Sequence, residues 1–140
     1  MALFELLIGQ RPISVQTASR GGYQAWKDYV RSEARRVWVG DLVPRGQARS
    51  SAGGLRLTLV FLCRDFPIDV DNVVKPIQDA LIGVVYADDD RVTDVESHRR
   101  YLEDPIDLTR VPPLLSSALV HQIECVYVRV DEAPLLENLL

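Results

Sequence analysis

Residues 55–81 read LRLTLVFLCRDFPIDVDNVVKPIQDAL, and within this stretch the apolar pattern changes from a period of two to one near 3.6. Leu55, Leu57, Leu59, Phe61 and Cys63 alternate with their neighbours, which places all five on one face of a strand. From Asp71 to Leu81 the residues Val73, Val74, Ile77, Ala80 and Leu81 follow the helical period, so one side of a helix packs on the sheet. Gly83 stands just past that helix, where glycine commonly ends one. Strand followed by amphipathic helix predicts a mixed α/β (α+β) fold.

The flanks extend the pattern in both directions. Ala2–Ile8 reads as a strand, and 12–22 as a polar loop. Tyr23–Val37 reads as a helix with Tyr23, Trp26, Val30, Ala34 and Val37 on a buried stripe and Lys27, Arg31 and Arg35 on a basic face opposite. Tyr23 and Trp26 are expected as core anchors rather than base-stacking platforms. Gly40–Gly54 has the glycine, proline and serine content of a loop, and its Arg45 and Arg49 are candidate phosphate contacts. Downstream come a short apolar segment, Val84–Tyr86, the acidic run Asp88, Asp89 and Asp90, and an exposed strand over Arg91–Tyr101. A short helix over Pro113–Val120 and a last strand over Gln122–Val130 follow. The tail, with Leu135, Leu136, Leu139 and Leu140, either frays or contacts a partner. The expected architecture is one domain over residues 1–140, a small, mostly antiparallel sheet of about four strands with helices on one face.

Composition narrows the function classes. With 47% hydrophobic and 26% charged residues, the 140-residue chain has the balance of a globular domain with a proper core. No apolar run approaches the roughly 18 residues of a membrane span. The apolar opening contains Glu5 and no basic residue before it, so it reads as a strand rather than a signal peptide, and a cytoplasmic protein is expected. Cys63 and Cys125 sit in apolar runs and read as buried, reduced thiols. With them, His98 and His121 form no zinc-type spacing.

The net charge of −4 conceals a split. From Gly9 to Arg56 there are nine basic residues and three acidic ones; from Leu57 to Asp107, twelve acidic and five basic. One part can attract phosphates while the other gathers carboxylates, although solvated faces give the same count. The overall acidity argues against a protein that coats DNA nonspecifically.

The acids with most chemical content are Asp69, Asp71, Asp88 and Asp89, which converge if the chain turns back through Gly83. At about 4 Å and an effective dielectric near 20, a like-charged pair costs roughly 4 kcal/mol, so such a cluster calls for a cation. Hard oxygen donors favour Mg²⁺ or Mn²⁺ over zinc. A metal held there supports phosphoryl chemistry, and Lys75 is placed to contact the scissile phosphate. Asp71, Lys75 and Asp79 are spaced by four and form one polar stripe. The spacing alone fits a second reading equally well, with Asp71 or Asn72 as a helix cap and the remaining acids solvated. Pro76 would break a helix begun at Asp71 unless the first turn starts later.

The combined pattern Asp69-x-Asp71-Asn72-x-x-Lys75-x-x-x-Asp79-Ala80-Leu81, then Gly83, then Asp88-Asp89-x-x-Val92, resembles the RusA family of Holliday junction resolvases. The resemblance implies that Asp69, Asp71 and Asp89 bind Mg²⁺ and serve catalysis, that Lys75 is essential, and that Asp88 is the neighbouring acid of the metal site. It further implies a homodimer that nicks two strands of branched, four-way DNA symmetrically, since a two-fold enzyme suits a two-fold substrate. Arg31, Arg35, Arg45, Arg49, Arg99 and Arg100 are the candidate DNA contacts, with His98 beside the last pair. His121 reads as structural or merely surface.

Overall fold

The computed structural model describes residues 2–14, 19–38, 40–43 and 53–140. A four-stranded sheet carries the order β1 (Phe4–Ile8), β4 (Cys125–Glu132), β2 (Leu55–Cys63), β3 (Val92–Tyr101). β4 runs antiparallel to both β1 and β2, whereas β2 and β3 are parallel. A parallel pair cannot be joined by a tight turn. The connection here is residues 64–91, which contain α2 (Val74–Ala80) and every acid singled out above.

Registers sort the side chains into two faces. Leu57, Leu59 and Phe61 of β2 pair with Val130, Val128 and Val126 of β4 and with Val95, Ser97 and Arg99 of β3. This face packs against α1 (Arg20–Val37) and α2 through Trp26, Val30, Ala34, Ile77 and Ala80, all buried. The other face has a smaller core, where Leu62, Cys125 and Tyr127 meet Leu115, Ala118 and Leu119 of α3 (Pro113–Val120). The mixed sheet and its mostly antiparallel pairing match expectation. The helices are on one face only as far as α1 and α2 go, because α3 covers the face turned away from them.

Several boundaries move, each for a local reason. α1 starts at Arg20, because the Ser19 hydroxyl accepts from the Gly22 N–H at 3.0 Å and caps the helix there. The two glycines read as loop thus form its first turn. A Cβ on Gly22 would lie 3.2 Å from Ser19 Oγ and 3.3 Å from Ile13 Cδ1, so the close approach favours glycine. Val37 is 55% exposed, off the buried stripe, because Trp38, four residues after Ala34, takes the next core-facing position and packs on Phe4. α2 starts at Val74, three residues later than the periodicity suggests, and its cap residue Val73 makes no side-chain cap bond. Pro76 therefore falls in the first turn, where a missing N–H breaks no helical bond. Asp71 and Asn72 are not caps. They sit in successive turns closed by Asn72 N–H to Asp69 carbonyl (2.9 Å) and Val74 N–H to Asp71 carbonyl (3.4 Å).

At the far end, Gln122 takes a left-handed conformation (φ 53°) and its N–H returns to the Leu119 carbonyl, so β4 begins at Cys125 rather than Gln122. The tail makes a 3-10 turn over Leu136–Asn138, with Leu135, Leu136, Leu139 and Leu140 exposed. Cys63 and Cys125 are buried, unbridged thiols, and burial pushes Cys125 up to about 12.

Candidate active site

The segment between β2 and α2 crosses back over β3 and is strapped to it. Ser97 Oγ donates to the Val70 carbonyl (2.5 Å), and Arg99 Nη1 donates to the Ile68 carbonyl (3.2 Å). Ile68 is buried in the larger core, while Asp69 and Asp71 are exposed. A strand alternates its side chains, so Ser97 and Arg99 reach this loop and His98 and Arg100 do not. The expected pair Arg99 and Arg100 is split accordingly. Arg100 is exposed on the other face and bonds the Arg99 carbonyl at 2.8 Å, and His98 lies 3.6 Å from Glu96 there.

α2 ends at Ala80, and Gly83, with a φ of +82°, lies in the turn that reverses the chain just beyond it. Gly83 N–H bonds the Tyr86 carbonyl at 2.7 Å, and the fully buried Tyr86 returns its hydroxyl to the Gln78 carbonyl at 2.6 Å. Burial pushes that phenol up, and it stays protonated as the donor. The turn delivers Asp88, then Asp89 in a 3-10 turn over Asp89–Arg91. Arg91 is buried, unusual for an arginine. Its guanidinium donates to the Val43 carbonyl (2.8 Å) and the Gly53 carbonyl (2.7 Å). These two residues flank the segment that holds Arg45 and Arg49, which lie outside the described residues.

The return brings Asp89 to Lys75. Lys75 Nζ stands 3.0 Å from Asp79 Oδ1 and 3.7 Å from Asp89 Oδ2. The hydrogen bond to Asp79 is the largest cause holding the ammonium above its usual lysine range, so it stays charged at neutral pH. Tyr23 completes the group by donating its hydroxyl to Asp79 Oδ2 at 3.2 Å. Burial, then the Asp79 charge, pushes the Tyr23 phenol up, which keeps it a donor. Tyr23 is thus a bridge to α2 rather than a core anchor.

Arg31 also turns toward α2. Its Nε and Nη2 donate to the carbonyls of Ala80 (3.1 Å) and Asp79 (3.2 Å) at the end of α2, where the Asp79 carbonyl also accepts from the Ile82 N–H (3.2 Å). Side chains four apart drift by about 40° per step around a helix. The row Tyr23, Lys27, Arg31, Arg35 therefore starts at the interface with α2 and reaches solvent by Arg35, rather than lying wholly opposite the core. Asp28, Arg31, Ser32, Arg35 and Arg36 line an open groove of about 510 Å³.

Among the described residues, no three His, Cys, Asp or Glu side chains are gathered closely enough to hold a metal ion. The donor chemistry still fits a hard dication, since Asp69, Asp71, Asp88 and Asp89 offer only carboxylate oxygens, three of them exposed and Asp89 half-exposed. Sequence reasoning missed Asp79, Tyr23 and Arg91. Asp79 was visible as part of the polar stripe; nothing in the spacing pointed to the other two.

The strapped acidic loop, the lysine between carboxylates and the groove on α1 all present charged groups to solvent. The sequence matches the family model Endodeoxyribonuclease RusA over residues 11–108, more than half of the chain. The chain belongs to this family of endodeoxyribonucleases. No curated protein gives a significant match. The matched segment contains α1, β2, α2 and β3, and with them every residue of the site.

Proposed function

We propose that the chain is a Mg²⁺-dependent, structure-selective endonuclease that resolves four-way DNA junctions by paired symmetric nicks, acting as a homodimer in DNA recombination and repair. The observation that carries this reading is the charged Lys75 held between Asp79 and Asp89 beside the strapped loop of Asp69 and Asp71, within the matched segment. Asp69, Asp71 and Asp89, with Asp88 beside them, would hold Mg²⁺, with Mn²⁺ as a substitute. A dication bound there lowers the pKa of water and neutralises charge developing on phosphorus.

The chain's own groups supply the rest. The Lys75 ammonium donates to a non-bridging phosphoryl oxygen and stabilises the added charge. Arg35, exposed in the groove on α1, contacts the DNA backbone, with Arg31 at the groove wall. Arg99 reaches the same side as the acids through the guanidinium that straps Ile68, while Arg45 and Arg49 lie in sequence between Val43 and Gly53, whose carbonyls Arg91 holds. Arg100 is the weakest of the six candidates, because it faces away from the site. No helix among the described residues is long and apolar enough to cross a membrane, and a cytoplasmic single-domain enzyme is proposed.

The decisive experiment is cleavage of a labelled synthetic four-way junction with Mg²⁺ or EDTA, beside linear duplex, flap and fork controls. Paired symmetric nicks that require Mg²⁺ are expected; preference for a flap or fork would move the substrate to another branched DNA. The ungathered acids favour one second reading, a catalytically silent branched-DNA-binding module. That module would bind junctions equally with EDTA and cut nothing.

A further inference from the structure

Asp79 occupies a place in the site that its spacing alone does not reveal. Each carboxylate oxygen has its own partner, Lys75 Nζ on Oδ1 and the Tyr23 hydroxyl on Oδ2. Its main-chain carbonyl is held by Arg31. Tyr23 and Arg31 are eight residues apart on α1, about two turns, so one helix grips this residue by both side chain and backbone. The Asp79 side chain is 20% exposed, against 56% for Lys75 and 47% for Asp89. Asp79 is therefore the anchored member of the group, and the lysine is the member that reaches solvent.

We propose that Asp79, oriented by Tyr23, is the positioning residue that aims Lys75 and draws its ammonium away from a closer pairing with Asp89. This inference rests on the endonuclease reading above. An exposed lysine has four rotatable bonds and samples many positions unless a partner selects one. Its two acidic neighbours here are unequal, with Asp79 at contact distance and Asp89 at 3.7 Å. With the Asp79 charge removed, Asp89 is still within ion-pair distance of the ammonium. Lys75 then pairs with an oxygen donor that the site needs for its cation. Asp79 thus serves two ends: it presents the ammonium to the phosphate and leaves Asp89 available.

The test is a double-mutant cycle on junction cleavage with Asp79→Asn, Lys75→Ala and the pair. It is read beside junction affinity in EDTA, melting temperature, and Mg²⁺ affinity from the shift in melting temperature. The expected result for Asp79→Asn is a fall in kcat of about 10- to 100-fold, the usual range for a group that orients a catalytic one. Junction affinity should stay within about twofold, since a positioning role acts on the reacting step. Mg²⁺ affinity should drop, and the double variant should be no slower than Lys75→Ala alone. Asp79→Glu, which restores the charge, should recover part of the rate.

Tyr23→Phe should lower kcat less, and in the same parameter; it carries the test if Asp79→Asn melts early. Wild-type kcat in both Asp79→Asn and Tyr23→Phe would overturn the inference, as would losses that add to those of Lys75→Ala. An unmodified chain that binds Mg²⁺ and cuts neither junction, flap nor fork would overturn the endonuclease reading and this inference together. Normal wild-type cutting with unimpaired variants overturns this inference alone.

Discussion

The acidic site has two halves that the fold holds by different means. Asp69 and Asp71 ride on a loop fixed through its main chain, with Arg99 and Ser97 gripping the carbonyls of Ile68 and Val70. Lys75, Asp79 and Asp89 are held side chain to side chain, with Tyr23 behind them. A carboxylate on a one-carbon stem is placed once its backbone is placed, and its oxygens then stay available to a cation. A lysine stem carries about 2 kcal/mol of rotamer freedom, so a fixed backbone does not fix its ammonium. The loop half therefore uses backbone contacts and leaves its acids open, while the helix half uses an acid to position a cation.

The sharpest way to break this contrast is in the loop half. Asp71→Asn is expected to lower cleavage by about a thousandfold or more. The melting temperature in EDTA should be unchanged, and the rise caused by Mg²⁺ should be lost, because a ligand that binds only the native state stabilises it. Full metal-dependent cleavage by this variant would remove the metal role from the loop.

Lys75→Met comes next, with an expected loss of about a hundredfold in kcat. Here the stabilisation by Mg²⁺ should persist or increase, since the ammonium near Asp89 is gone. If metal stabilisation disappears instead, the halves are not separable. Ser97→Ala tests the strap itself. One hydrogen bond contributes about 1 kcal/mol net, so the rate should fall roughly fivefold, with the variant assayed at saturating Mg²⁺. The smallest effect is expected from Arg100→Ala, within about twofold on junction affinity, against a clear loss for Arg99→Ala. Equal losses from both would mean that DNA also engages the opposite face of β3.

Legibility in the sequence was uneven in an instructive way. The alternation of Leu55–Cys63 and the helical period after it were enough to place β2 and α2, because both patterns are set by which residues face the core. The start of α2 was misplaced because Val73 carries helical periodicity without any capping group, while Asp71 and Asn72 look like caps but form turns. Arg31 and Arg99 read as phosphate contacts, yet each spends donors on carbonyls of the chain itself. A basic residue looks the same in sequence whether its partner is a phosphate or a main-chain carbonyl.

By itself the sequence determined the elements, the family pattern and the candidate acids, since each depends on residue type and on spacing within about two dozen positions. The tertiary structure decided which of these groups touch. Tyr23 lies 56 residues from Asp79, Arg31 lies 49 from Ala80, and Arg91 lies 38 and 48 from the two carbonyls it pins. The first two contacts form only when α1 and α2 settle side by side on one face of the sheet, and the Arg91 bonds only when its turn meets Val43 and Gly53; no local period encodes either meeting.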